Sequence, residues 1–317
     1  MINKRGFEFS FSIIFAILAG IFIIAIAIYT TTQFIHVSKY KIDTETAKKL
    51  SIIFSPLETS IEAEKTAYIS FNSETKIFNE CEKTGTFGWQ EFSLSTKSGV
   101  GDEWQEPGGE IRLRNKYIFS DEVQGKKVYM FSMPFETGYK VASLTMMYSD
   151  KYCFKNPSNE IEDNLIILGN VEINATCQED SKKICFGNGM RSRDCDINVE
   201  KIGDSYDEGY VTKDREQLYY YKNLLYAAIF SSPEIYECNV ERLMGRAEQL
   251  AYLYAEESNF LEGRDCHTGL YSDFLVLAQK AQLVESSEDL KTQGVYDKSL
   301  EIEEKAGFGE CLLWNLV

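Results

Sequence analysis

The sequence predicts an α+β fold in which one N-terminal transmembrane helix extends into a stalk that carries a mainly antiparallel β head and a C-terminal antiparallel helix bundle. Three observations predict this fold: a long uncharged apolar run, a middle region of short strand-like segments, and a last third with helical periodicity. The expected units are a cytoplasmic tail (1–8), a transmembrane helix (9–29), a helical stalk (30–64), a β-rich extracytoplasmic domain (65–230) and a helical subdomain packed on it (231–317).

The apolar run at residues 9–29 contains no charged residue and no proline. At ~1.5 Å per residue, a helix of this length covers the ~30 Å hydrocarbon core of a bilayer. A secretory signal has a shorter apolar region and is followed by a cleavage site of small residues, which is missing here. The run therefore predicts an uncleaved anchor in the lipid bilayer. Lys4 and Arg5 precede it, and this charge favours a cytoplasmic N-terminus.

Beyond the anchor, apolar residues continue at helical spacing and predict an amphipathic stalk. They are Ile35, Ile42, Leu50, Ile53, Leu57 and Ile61. Ser55, Pro56 and Glu58 form a capping pattern that predicts a break and a new helix start. The apolar face of the stalk is either a spacer that docks on its own head domain or a surface for self-association.

The rest of the chain divides into a strand-rich and a helix-rich part. From about residue 65 to 223, short segments rich in Ile, Val, Tyr, Phe and Thr alternate with turn residues, which predicts β-strands. Ser232 and Pro233 predict the start of a helix that ends near Gly263. Two further helices are expected, at about 269–284 and within 291–306, and Leu312, Leu313 and Trp314 are expected to pack into the core.

All eight cysteines follow the apolar run, and their number is even. Behind an export signal, this predicts disulfides in an oxidising compartment. Zinc sites usually contain two cysteines separated by two to four residues, and that spacing does not occur in this sequence. The disulfide candidates are Cys81, Cys153, Cys177, Cys185, Cys195, Cys238, Cys266 and Cys311.

Eight cysteines allow roughly a hundred pairings, so only local arguments select among them. Cys185 and Cys195 lie on two short strand-like segments with a turn between them, which favours a bond between the two. An antiparallel third helix would bring Cys311 back to Cys266 at one end of the bundle. Cys238 is then left for the β head, and Cys81 is its expected partner. The triplet beginning at Asn174 is a candidate glycosylation site.

A search for catalytic chemistry finds no motif for a nucleophile, a metalloprotease, a phosphate loop or a dinucleotide, so no catalytic, cofactor or metal residue is expected. The two histidines, His36 and His267, give no catalytic pattern. Asp204, Asp207 and Glu208 form either a loop calcium site or a solvated acidic loop. The aromatic run Tyr219 to Tyr221 is expected in strand and core rather than in a sugar-binding surface.

The formal net charge is −16, which disfavours nucleic acid as a partner. The leading hypothesis from these observations is a non-enzymatic surface protein, membrane-anchored and disulfide-stabilised, with a structural, adhesion or binding role. Its expected partners are the lipid bilayer through residues 9–29 and either a further copy of the chain or another surface protein. The chain contains 49 acidic residues, so an extracytoplasmic hydrolase that uses carboxylates is the alternative hypothesis from the class of enzymes.

The N-terminus, with Lys4, Arg5, Gly6 and Phe7 before an acid and an apolar run, resembles type IV pilin-like proteins. Such proteins are cut after the glycine, and their long helix both spans the membrane and carries a β-rich head. The resemblance implies processing between Gly6 and Phe7 and a role as a subunit of a surface filament. Pilins carry glutamate at the fifth mature position, whereas Glu8 would be the second here.

Over its whole length the chain is similar to single-pass surface proteins of small-genome archaea. The stretches KRGFEFSF, STKSGVGDEWQEPG and IFSSPEIYECNVERLM carry this likeness. The resemblance implies an archaeal cell surface and brings no activity with it.

Overall fold

The computed structural model describes residues 14–31, 65–97, 104–174, 176–187, 194–264 and 266–308. The first described element is helix α1 (Ile14–Thr31), which is long and apolar enough to cross a membrane and has none of its residues buried in the protein. This helix covers residues 14–29 of the apolar run that predicts the anchor and continues for two residues beyond it. Apart from its first two residues, the expected stalk at 30–64 lies outside the described residues.

The first sheet has six strands and is antiparallel except at one edge. Its strands are β1 (Lys65–Glu82), β2 (Trp89–Thr96), β3 (Ile111–Leu113), β4 (Tyr117–Phe119), β5 (Val123–Glu136) and β6 (Lys140–Tyr148), in the order β3-β2-β1-β5-β6-β4. The register of β1 on β5 shifts between Ser70 and Thr75, so the long first strand is irregular there. β4 runs parallel to β6 and forms one edge of the sheet.

The second sheet also has six strands, and three of its five pairings are parallel. Its strands are β7 (Tyr152–Lys155), β8 (Val171–Ile173), β9 (Lys182–Phe186), β10 (Ile197–Lys201), β11 (Glu208–Lys213) and β12 (Glu216–Tyr221), in the order β12-β11-β10-β9-β7-β8. Helix α2 (Asn159–Leu165) lies between β7 and β8 in the chain. The expectation of mainly antiparallel strands therefore fits the first sheet better than the second sheet, which is mixed.

The C-terminal part is helical, with α3 (Leu224–Phe230), α4 (Pro233–Glu262), α5 (Tyr271–Gln282), α6 (Ser287–Thr292) and α7 (Val295–Phe308). The predicted start of α4 is confirmed, because Ser232 caps the helix by accepting the Ile235 N–H and Pro233 is its first residue. The expected third helix corresponds to α7, and the short helix α6 before it was not expected. Gly294, which separates them, has a left-handed φ of +62° that a glycine adopts without strain.

The largest hydrophobic core joins both sheets to the C-terminal helices. Phe230, at the end of α3, lies inside it, with ring centroids 5.2 Å from Phe131, 4.8 Å from Tyr148 and 4.6 Å from Tyr152. Such packed aromatic pairs stabilise a core beyond the area that they bury. α3 is therefore the element around which the first sheet and the second sheet meet.

Candidate functional site

The hairpin of β1 and β2 is fastened to α4 by a disulfide between Cys81 and Cys238. Their Cα atoms lie 6.1 Å apart, although 157 positions separate them in the sequence. Cys81 stands near the end of β1, and Cys238 is in the second turn of α4. Two clefts flank this junction, which makes it the candidate functional region.

Arg242 lies one helical turn after Cys238 and is only 3% exposed. Its Nε donates to the Phe87 carbonyl oxygen at 2.9 Å, and its Nη1 donates to Asn239 Oδ1 at 2.7 Å. The guanidinium carbon is 4.9 Å from the centroid of the Tyr117 ring, a cation–π contact. Burial lowers the pKa of Arg242 to about 10, because the charged form loses hydration. These contacts make Arg242 a clamp between the hairpin and the helix.

Three amide side chains next to this clamp converge on the backbone of Ile118 in β4. The side-chain nitrogens of Asn79, Gln90 and Asn239 donate to the Ile118 carbonyl oxygen at 3.2, 2.8 and 3.2 Å. Gln90 Oε1 also accepts the Ile118 N–H. Because β4 is an edge strand, these amides supply hydrogen bonds that a further strand would otherwise make.

The first cleft has a volume of about 410 Å³ and is strongly acidic. Its carboxylates are Glu80, Asp121, Glu122 and Glu234, and Ser120 and Ser232 add hydroxyl groups. Lys76 pairs with Glu122 at 2.8 Å, and Lys182 pairs with Asp121 at 3.0 Å. Within the described part of the chain, Glu80 and Glu234 have no ion-pair partner. A cleft of this charge suits an amine or guanidinium group and repels an anion.

The second cleft, of about 260 Å³, is lined partly by the turn between β1 and β2 and carries mixed charge. Arg242 and Lys83 line it together with Glu241, Glu248 and Glu285. Lys83 is ion-paired with Glu241. Because opposite charges neutralise each other here, this cleft has less electrostatic preference for a ligand than the acidic one.

Two lysines behind the acidic cleft have opposite electrostatic environments. Lys182 Nζ lies 3.0 Å from Asp121 and 2.8 Å from Asp150. Although burial opposes its charge, Tyr152 and these two aspartates raise the pKa of Lys182 above its ordinary value. Lys213 is 5% exposed and donates to the Ile229 carbonyl oxygen at 3.3 Å, near the C-terminal end of α3.

Burial lowers the pKa of Lys213 to about 8. An amine with such a pKa suits a base or a nucleophile only where a substrate reaches it. Lys213 lines neither of the two clefts. Its hydrogen bond to the end of α3 instead stabilises carbonyl groups that a helix C-terminus leaves unpaired. The geometry therefore gives Lys213 a structural role.

Two of the expected cysteine pairs are present in the structure. Cys81 is bonded to Cys238, and Cys185 is bonded to Cys195 across 10 positions. The two strands beside the second bond, β9 and β10, run parallel, so they do not form the simple hairpin that the sequence suggests. Cys153 and Cys177, for which no local argument existed, form a further disulfide.

Cys266 is also disulfide-bonded, while its expected partner, Cys311, lies outside the described residues. Gly6 and Phe7, the candidate processing site, lie outside them as well, as does His36. Asn174 is exposed, and its Oδ1 accepts the Asn156 N–H at 2.8 Å. The Asn174 side-chain nitrogen, to which a glycan would be attached, takes no part in that bond. Glycosylation of Asn174 stays a prediction.

Among the described residues, no group of three His, Cys, Asp or Glu side chains is arranged to hold a metal ion. In the candidate calcium loop, Asp207 Oδ2 accepts the Ser205 hydroxyl at 2.6 Å, and Glu208 Oε1 accepts the Tyr219 hydroxyl at 2.8 Å. His267 is exposed. The run Tyr219 to Tyr221 is buried in the core, as expected.

Sequence reasoning did not select Arg242, Asn239, Gln90, Lys182 or Lys213. A signal existed for Asn239, which lies on the same helical face as Tyr236 and Leu243 and is therefore a polar residue at a core position. Buried polar groups need partners, so such a residue marks a hydrogen-bond network. The lysines carried no comparable local pattern.

Comparison with protein-family models, with curated proteins and with solved structures gives no match for this chain.

Proposed function

We propose that this chain is a membrane-anchored extracytoplasmic protein with a non-enzymatic structural, adhesion or binding role at the cell surface. The observation that carries the proposal is the combination of α1, an apolar helix with none of its residues buried, and three disulfides in the region after it. Disulfides persist in oxidising compartments and are reduced in the cytosol, so they favour an ectodomain outside the cytoplasm.

Within this role, the acidic cleft is the surface that we assign to a partner. Glu80 and Glu234 have no ion-pair partner in the described chain and lie beside the disulfide-fastened hairpin, which holds them on rigid elements. The chemistry of the cleft selects a positively charged group, such as a lysine or arginine side chain of another surface protein.

Titration of the full chain in lipid nanodiscs with a lysine-rich peptide tests this assignment. Because each exposed ion pair contributes about 0.2–1 kcal/mol, the double variant Glu80→Gln, Glu234→Gln should weaken binding by roughly two- to thirtyfold. Glu256→Gln, an exposed acid further along α4, is the matched control and should leave binding unchanged. Equal weakening by the control would show that net charge acts rather than the cleft.

The non-enzymatic role has a separate test. The purified chain should leave peptide and glycan substrates intact over extended incubation. Turnover that Glu80→Gln or Glu234→Gln abolishes would contradict it and favour a carboxylate-dependent hydrolase instead.

A further inference from the structure

The first part of β1 forms an edge of the first sheet. Lys65–Ser70 pairs with β5 along one side, whereas β2 pairs with β1 only from Thr75 onward. Within the described residues, no strand pairs with the other side of Lys65–Ser70. In an antiparallel pair, alternate residues direct their N–H and C=O groups away from the partner strand. These backbone groups are therefore placed to bind a further strand.

The two faces of this edge differ in polarity. Ala67 and Ile69 are partly buried and pack against a hydrophobic core built from strands of the first sheet. Thr66, Tyr68 and Ser70 are exposed on the other face. No charged residue occurs from 66 to 73. The edge therefore lacks the charged side chains that commonly prevent one sheet edge from pairing with another.

A row of tyrosines crosses the sheet and ends at this edge. Tyr148 in β6 is opposite Tyr129 in β5, and Tyr129 is opposite Tyr68 in β1. The rings of Tyr129 and Tyr148 stack with 5.6 Å between their centroids, and Lys127 Nζ lies 4.1 Å from the centroid of the Tyr68 ring. Tyr68, the last of the row, is 63% exposed. A strand added at this edge would bring another side chain against Tyr68.

We propose that this edge pairs with the same edge of a second copy of the chain, in antiparallel direction and with Tyr68 opposite its own counterpart. A two-fold interface of this kind uses the same surface of both copies, so the surface must complement itself. Thr66 lies opposite Ser70 of the second copy, so polar residues meet on the exposed face. Ala67 lies opposite Ile69 of the second copy, so apolar residues meet on the other face. No like charges are opposed, and the tyrosine row continues from one sheet into the other.

Cysteine cross-linking of the full chain in native membranes tests this register. Tyr68→Cys should form a covalent dimer on mild oxidation, because the symmetry places the two introduced thiols opposite each other. Thr66→Cys and Ser70→Cys should each stay uncross-linked when expressed alone, since each thiol is roughly 14 Å from its own counterpart. The two variants should cross-link when they are expressed together. Ser205→Cys, at an exposed serine of the second sheet, is the control and should stay uncross-linked.

Sedimentation of the full chain in density-matched detergent gives a second readout. Tyr68→Glu places like charges opposite each other and should raise the dissociation constant of the dimer roughly fivefold or more. Tyr68→Phe keeps the aromatic pair and should leave this constant unchanged. Because Tyr68 is exposed and a glutamate there would face Lys127, both variants should keep the thermal midpoint of the unmodified chain.

The proposal is overturned if Tyr68→Cys forms no more covalent dimer than Ser205→Cys, or if Tyr68→Glu dimerises as strongly as the unmodified chain. An edge covered by another segment of this chain or by an unrelated protein would give the first of these results. Cross-linking of Thr66→Cys or Ser70→Cys with itself would contradict the register. The dimer does not depend on the acidic cleft, so either assignment can fail without the other.

Discussion

Cys81 and Cys238 join β1 of the first sheet to α4, the longest helix among the described residues, with 6.1 Å between their Cα atoms across 157 positions of sequence. In the chain-entropy model, a disulfide that closes a longer loop stabilises the fold more, because it restricts the unfolded chain more. Cys185 and Cys195, at a separation of 10, provide the internal comparison. In each pair one cysteine is buried and the other is partly buried.

Replacement of both cysteines of each pair by serine should therefore have unequal effects. We expect the Cys81→Ser, Cys238→Ser chain to lose about 2 kcal/mol more of its free energy of unfolding than the Cys185→Ser, Cys195→Ser chain. Urea unfolding followed by circular dichroism measures both losses. Equal losses would show that strain or unfolded-state structure, rather than loop length, sets the contribution of these bonds.

Among the residues at the junction between the hairpin and α4, Arg242 should be the one whose substitution lowers the free energy of unfolding most. Arg242→Ala leaves the Phe87 carbonyl and Asn239 Oδ1 without their donor in a buried place, and we expect a loss of about 3 kcal/mol in unfolding free energy. Glu241→Gln, which breaks the exposed pair with Lys83, is the control and should cost less than about 1 kcal/mol. A loss of similar size in both variants would contradict the role of Arg242 as a clamp between the hairpin and the helix.

The lowered pKa of Lys213 predicts that the free energy of unfolding rises at alkaline pH. Its folded-state pKa is about 8, whereas an unfolded lysine has a pKa near 10.4. Between about pH 8 and pH 10 the unfolded chain therefore binds more protons at this residue than the folded chain, so the free energy of unfolding increases with pH. The gain is at most about 3 kcal/mol, since one pKa unit corresponds to about 1.4 kcal/mol.

The difference in stability between the unmodified chain and Lys213→Met isolates this effect, because other titrating groups are common to both. That difference should shift in favour of the unmodified chain as pH rises from 8 to 10. A constant difference across this range would mean that Lys213 keeps its proton in the folded protein, held by Asp121 and Asp214.

Asp273 should contribute stability that acid removes. Although burial opposes its charge, hydrogen bonds from Lys298 and Lys305 hold the pKa of Asp273 below its ordinary value, and its side chain is 8% exposed. We expect Asp273→Asn to lose about 2 kcal/mol of unfolding free energy at neutral pH. The loss should disappear as the pH falls below about 4 and through the folded-state pKa, since the carboxylate is then protonated in both states.

Thermal unfolding at neutral pH and at pH 3 measures both parts of this prediction. Glu301→Gln is the control. Glu301 is exposed, and of the two lysines that contact Asp273 it forms a hydrogen bond with Lys298 and not with Lys305. If Asp273→Asn were as destabilising at pH 3 as at neutral pH, the role of Asp273 would be packing rather than charge.

Local signals made some elements predictable and left others hidden. The start of α4 followed from Ser232 and Pro233, because capping depends on neighbouring residues alone. α3 was missed because Leu224–Phe230 is apolar on every side and so shows no helical period. The parallel pairing of β9 and β10 was hidden for another reason, since strand direction depends on the path of the chain between the strands.

The candidate site was less predictable than the fold. The partners of Cys81 and Cys185 were expected from helix direction and from proximity in sequence, respectively. The acidic cleft was not expected, because Glu80, Asp121 and Glu234 come from three separate regions of the chain. Among 49 acidic residues, nothing local distinguishes those that tertiary packing brings together.

Disulfide mapping of the chain in native membranes, with free thiols blocked before lysis, tests the central claim most directly. The account predicts linked peptides that contain Cys81 with Cys238, Cys153 with Cys177, and Cys185 with Cys195. Recovery of these six cysteines as blocked free thiols would place the domain in a reducing compartment and contradict the assignment of an extracytoplasmic, disulfide-stabilised protein.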